Sequence, residues 1–281
     1  MRLISFCFIG LLISASTARG QDRFSNRLND IDSATQSLPD KVSHAEPLYV
    51  DLMRDLGARK GEKEINAGFG MGEHKNYKDY VGFVEYEWAP LNRLGLEIQA
   101  DYSFPHAKPS ARGLGLTPAG AIESIQLAGQ YTFLVDKAHQ TSMAVGYIHQ
   151  FKLNSLSAWR QDKRGITGMA MTPILIAATK VGQLNMLLYS GPVFDDNFIQ
   201  KSTTFGGTIN TSFLYVLPDQ KNFIGFENNM DFDEREFHYF IRPQMKLTLA
   251  EDLAIGFVVG FPITGQEDLS TDFTTRIIWE P

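Results

Sequence analysis

Two runs near the end of the chain alternate strictly between apolar and polar or small positions. In residues 239–249 the odd positions include Ile241, Met245, Leu247 and Leu249, and the even ones include Arg242, Gln244, Lys246 and Thr248. After Glu251-Asp252 the odd positions run Leu253, Ile255, Phe257, Val259, Phe261 and Ile263. They face Ala254, Gly256, Val258, Gly260 and Thr264. Successive side chains of a strand point to opposite faces, so a period of two predicts a hairpin with one apolar face. Both runs reach about 10 residues, which crosses a bilayer when the strand is tilted. We read this as a hairpin of a transmembrane β-barrel with its apolar face toward lipid. A soluble sandwich or lipocalin-like barrel would carry the same alternation with that face inside.

The pattern recurs along the chain and predicts about twelve strands from residue 64 onward. They fall near 64–72, 78–89, 93–104, 121–134, 141–153, 168–180, 183–194, 205–217, 223–233, 238–250, 253–265 and 270–280. The stretch 168–194 is the weakest, because Pro173 and Pro192 interrupt it. The odd-numbered connections read as longer and more polar than the even-numbered ones. That sorting predicts loops at one end of an outer-membrane barrel and turns at the other. Aromatics gather at both ends of the outward faces. Trp88, Tyr131, Phe133, Tyr215 and Trp279 lie toward the turns, and Tyr80, Tyr102, Phe104, Phe151, Phe205, Tyr239 and Phe261 toward the loops. These are the expected interfacial girdles. The chain ends Trp279-Glu280-Pro281 rather than on the aromatic residue with which such barrels often finish.

Composition excludes more than it identifies. The net charge is −6 and spread out, so no nucleic-acid surface is expected. Past the N-terminus no apolar run is long enough for a transmembrane helix. Arg2, the apolar run over residues 3–15 and Ala18-Arg19-Gly20 predict a signal peptide over residues 1–20, cleaved before Gln21. The single cysteine, Cys7, lies inside it, so no disulfide or thiol chemistry is expected of the exported chain. Residues 21–63 read as an exported N-terminal segment and residues 64–281 as the barrel. Within the segment, Leu48, Leu52 and Leu56 share a face at helical spacing, with Pro47 in a first turn and Gly57 at the end. A short amphipathic helix is predicted there. It would lie on the periplasmic rim, enter the lumen or dock a periplasmic partner.

This block carries a resemblance. His44-Ala-Glu-Pro-Leu-Tyr and the run from Asp55 through Glu64 resemble the opening of a family of uncharacterised exported bacterial proteins that look like outer-membrane β-barrels. Some relatives carry a name from purine synthesis, phosphoribosylformylglycinamidine synthase. An exported chain with no nucleotide site does not fit that name. The family supplies no catalytic residues to carry over.

The inward faces predict the candidate site. Glu85, Glu87, Glu97, Asp101, Glu227, Asp231 and Asp272 would line the lumen, with Arg242, Lys246 and Arg276 among them. In a water-filled lumen these charges would tune passage toward cations. In a closed one they would pair as a polar plug. Gly68, Gly70 and Gly72 read as small inward residues of a narrow barrel rather than a phosphate loop, since no helix opens after them. Six histidines are present, none at a His-x-Ser or metal-ligand spacing. His149 is the nearest thing to a catalytic candidate. No cofactor or metal site is read, and an enzymatic role is not expected. The expected function is an outer-membrane channel for small solutes or ions, embedded in outer-membrane lipid. A barrel enzyme acting on lipid, a closed partner-binding barrel and a soluble exported lipid binder are the alternatives.

Overall fold

The computed structural model describes residues 39–49, 56–155, 158, 165–218, 221–233, 236–264 and 269–281. The expected signal peptide lies outside them. Twelve strands follow in chain order: β1 Lys63–His74, β2 Tyr77–Leu91, β3 Leu94–Ala107, β4 Ala121–Asp136, β5 Thr141–Leu153, β6 Ile166–Val181, β7 Leu184–Asn197, β8 Ser202–Val216, β9 Phe223–Asp233, β10 Phe237–Thr248, β11 Leu253–Thr264 and β12 Leu269–Trp279. Each pairs antiparallel with its chain neighbours, and β1 closes on β12 from Ile65↔Trp279 to His74↔Leu269. Every strand therefore has two partners and no sheet edge remains. Among sheets, only a closed one can hold its backbone polar groups in hydrocarbon without water. The single antiparallel twelve-strand barrel expected from the alternation is the fold observed.

The period of two decides what faces where. On β8, Asn210, Ser212 and Leu214 are buried in the interior, while Ile209, Phe213 and Tyr215 are exposed on the outer wall. The same split gives an outward belt containing Val84, Leu127, Val145, Leu175 and Ile277. Tyr131, Phe133, Tyr215 and Trp279 are exposed at its turn end, and Phe104, Phe205 and Phe261 at its loop end. An apolar belt between aromatic rims matches a bilayer, where the rings rest at headgroup level.

One expectation needs correction. The strands run on into residues read as loops, so that only Lys75 and Asn76 separate β1 from β2. Among the odd-numbered connections only 108–120 and 154–165 are long. The sorting of loops by length is thus weaker than the polar residues suggested, because polar side chains are equally at home on strand ends above the bilayer. The weak stretch 168–194 forms an ordinary hairpin. Its ladder lapses between Met171↔Phe194 and Leu175↔Ser190 without a change of register. Pro173 and Pro192 therefore stand opposite one another. Each lacks an N–H, and placing them at one rung confines both missing donors to a single break.

The chain enters at the turn end. Lys41 pairs with Glu62 at 3.0 Å, Lys137 of the β4–β5 turn pairs with Asp40, and Arg93 N donates to Ala58 O at 2.6 Å. Strand lengths of 11 to 16 residues exceed what a tilted span needs, so the ends stand clear of hydrocarbon. Leu127, near the middle of β4 and exposed outward, tests the membrane face. Leu127→Arg is expected to lower the free energy of folding into bilayers by about 2–4 kcal/mol. A titration of folded against unfolded protein in lipid vesicles measures it. A soluble barrel with that residue at a water-facing position would show little change.

Candidate functional site

The lumen is not an open tube. Residues 44–49 and 56–58 lie inside its turn-end half, and 59–62 follow at the rim, where Lys60 N donates to Asn92 Oδ1 at 2.9 Å. Leu48 is almost fully buried against Leu214, Phe223, Ala254, Val258 and Ile278, on the wall made by β8 to β12. Leu56 is buried against Ala128, Ala144, Ile174, Ile176, Ala178 and Tyr189, on the wall made by β4 to β7. Most of the predicted helix falls on residues 50–55, outside the described residues. Flanking it, Leu48 and Tyr49 form a bend and Leu56–Gly57 a turn rather than helix. Gly57 has φ +94°, a left-handed turn that a side chain would strain. Of the three leucines on the expected helical face, Leu48 and Leu56 pack on the barrel wall, and Leu52 lies outside the described residues.

The main chain of this segment is held by side chains of the wall. Glu227 Oε1 accepts from Leu48 N and Tyr49 N, both at 3.0 Å, and from Gln244 Nε2 at 2.8 Å. Gln244 Oε1 accepts from Leu48 N at 2.8 Å, and Asn185 Oδ1 from Ala45 N at 3.1 Å. Arg276 reaches Leu48 O at 3.4 Å. Hydrogen bonds from several donors stabilise a buried carboxyl side chain. Gly256 makes the room: a Cβ there would lie 2.7 Å from Leu48 Cδ2.

The ten predicted lumen residues divide into distinct groups. Arg276 and Glu85, each 1% exposed, pair at 2.5 Å. Asn66 Nδ2 donates to Glu85 at 2.7 Å and to Glu87 at 3.2 Å, and Glu97 is buried opposite Glu87 on β3. Arg242 pairs with Asp272 at 2.8 Å, donates to Asn229 at 2.8 Å and stacks 3.5 Å above the Tyr49 ring. Asp101 accepts from Ser124, from Gln99 at 2.7 Å and from Gln126 at 3.1 Å. Asp231 is exposed within the upper chamber, and Lys246 lines a pocket at the turn end.

Three cavities surround the segment. An upper chamber of about 390 Å³ is lined by Leu48 and Tyr49 at one end and by Asp101, Glu123, Gln150 and Asp231 along its walls. Asp101, Glu123 and Asp231 have no lysine or arginine paired to them among the described residues. Below the segment, a pocket of about 290 Å³ is lined by Ser43, His44, Ala45, Lys180 and Lys246. A second, of about 270 Å³, is lined by Lys41, Ala58, Glu62 and Glu87. Sequence reasoning named the acids of the wall but missed His44, Leu48, Gln244 and Glu123. Glu123 has the parity of the outward Ile125 and Leu127; the bulge between Asp101↔Ser124 and Tyr102↔Ile122 brings it to the chamber, which a period of two does not show. His149 faces outward. Its contacts among the described residues are the Tyr147 hydroxyl at 3.0 Å and the rings of Tyr147 and Phe151.

A family model described as HAEPLYID-like matches residues 40–280. No curated protein matches the chain in sequence. Among solved structures, an outer-membrane channel from Pseudomonas putida F1 is similar at a TM-score of 0.61 and 10% identity, covering 83% of this chain and 100% of that one. The NanC porin is similar at 0.53 and 10% identity, covering 78% and 99%. The KdgM porin in complex with disordered oligogalacturonate is similar at 0.52 and 12% identity, covering 77% and 98%. At these identities the likeness concerns the fold, which is that of outer-membrane barrels.

Two outcomes follow from the seat of the segment. Gly256→Ala is expected to cost about 1–3 kcal/mol of stability by overpacking Leu48, and Leu48→Ala in the same chain is expected to recover part of it. Detergent unfolding of the two single variants and the double variant measures that coupling. His44 is held down at about 4 by burial and then by Lys180, and its Nε2 lies 3.0 Å from Ser142 Oγ. Lys221, Lys246, Glu251, Asp252 and Glu280 share its pocket. A histidine with a lowered folded value stabilises above its ordinary 6.5, and that contribution fades as pH falls toward about 4. Wild type is therefore expected to lose more Tm than His44→Gln between pH 7.5 and pH 5. Equal losses would show that His44 does not titrate between the two states.

Proposed function

The chain belongs to the HAEPLYID-like family, and we propose that its barrel is an outer-membrane channel for small solutes with a preference for cations. The observation that carries this reading is the acid-lined upper chamber. Carboxylates from β3, β4 and β9 converge on one cavity of about 390 Å³ and have no paired cations there among the described residues. β3 and β9 stand half the ring apart, so Asp101 and Asp231 face the chamber from opposite walls. Charge of one sign on facing walls of a narrow, low-dielectric cavity concentrates counter-ions and repels co-ions. Gln126, Gln150, Thr208 and Asn210 add neutral polar groups that can replace part of a solute's hydration.

The lining also separates this channel from a fold relative. The KdgM porin was solved with oligogalacturonate, a polyanion. An acidic chamber repels such a chain, so that solute class does not carry over. Small cations and neutral polar molecules fit the volume and the charge.

Planar-bilayer recording of the purified protein tests the reading. Discrete conductance steps with a reversal potential favouring cations are expected in a salt gradient. Asp101→Asn together with Glu123→Gln is expected to shift that reversal potential toward zero. Anion preference in the wild type would sink the reading. So would a preference that the double variant leaves unmoved.

A further inference from the structure

Resting on the channel reading, we propose that residues 44–49 form a withdrawable plug, latched by Glu227, Gln244 and Arg276, and that the channel conducts when the plug leaves its seat. The first support is position. Leu48 and Tyr49 line the upper chamber, while Ser43, His44 and Ala45 line the pocket of about 290 Å³ below. Two cavities thus meet on opposite sides of one short segment, and its removal would join them along the barrel axis.

The second support is the kind of bond that holds it. Residues 44–49 belong to no strand. Their main-chain groups bond to side chains of the wall, at Asn185, Glu227, Gln244 and Arg276. The cylinder closes through β1 and β12 without them. Withdrawal therefore breaks no rung of the barrel.

The third support is what the wall retains. Arg276 keeps Glu85 and Arg242 keeps Asp272. Glu227 keeps Gln244 and Asn229. Each of these buried charges therefore keeps a partner on the wall when the plug leaves, and Gln244 Oε1 and Asn185 Oδ1, which the plug had bonded, are freed to meet water in the opened lumen. The closed state is held by the apolar seat of Leu48. That seat over Gly256, Ala254, Val258 and Ile278 would otherwise meet water. A hydrophobic seat and a polar latch on a self-sufficient wall give two discrete arrangements, as a gate requires.

A disulfide lock tests the plug. A Cβ at Gly256 would lie 3.2 Å from Leu48 Cγ, where a cysteine sulfur would sit, which is within disulfide reach. Leu48→Cys with Gly256→Cys, in a chain with Cys7→Ser, is recorded in planar bilayers before and after reduction. A chain lacking residues 39–56 is recorded beside it, with heat-shifted gel mobility to show that it is folded. The expected result is low conductance when oxidised, a rise on reduction and the largest conductance in the deletion. Equal conductance before and after reduction would overturn the plug and leave the channel standing, as would failure of the cysteines to join. A folded deletion variant that passes no ions would overturn the channel reading, and the plug with it.

Discussion

A backbone that crosses hydrocarbon must find its hydrogen bonds within the protein, and that constraint fixes most of this structure. It demands closure, and closure is met where Ile65 pairs with Trp279 at one end of the β1–β12 seam and His74 with Leu269 at the other. Once the ring is closed, each inward side chain has only the lumen to occupy. The outward ones, from Val84 to Ile277, need nothing beyond lipid. The hard part of the fold is therefore inside. A polar group in a narrow lumen needs either water or a partner there.

The two halves of the lumen answer that demand differently. In the turn-end half, water is displaced by Leu48 and Leu56, and the polar groups pair with one another or with the segment's backbone. Glu227 serves the N–H groups of Leu48 and Tyr49, and Arg276 is shared between Glu85 and the Leu48 carbonyl. In the loop-end half the chamber stays open, and Asp101 and Glu123 face it without a paired cation among the described residues. The proposed selectivity and the proposed gate thus come from one arrangement. Acids that the segment does not reach are left to meet the solute.

The barrel was legible in the sequence because its signal is local. Alternation over residues 253–264 or 94–104 needs no knowledge of the rest of the chain, and all twelve strands lie close to where the period of two puts them. The loop lengths were less legible. Polar residues such as Glu73 and His74 extend β1 rather than end it. The plug was least legible, because its bonds join residues 179, 196 and 228 positions apart. Helical spacing of Leu48, Leu52 and Leu56 was a local cue. What places Leu48 and Leu56 is two different walls of a cylinder that the local pattern cannot see.

Glu227 and Asp231 show how far residue type falls short of role. Both are acids on the inward face of β9, and the sequence offers no reason to separate them. Glu227 is 0% exposed and bonded to the segment, whereas Asp231 is exposed within the chamber. Four residues along a strand carry the side chain roughly 13 Å along its length. That rise is the difference between lying beside the plug and standing above it. A lumen-lining acid is accordingly not one kind of residue here. Its height relative to Leu48 decides whether its charge is used to hold the chain or is presented to whatever enters.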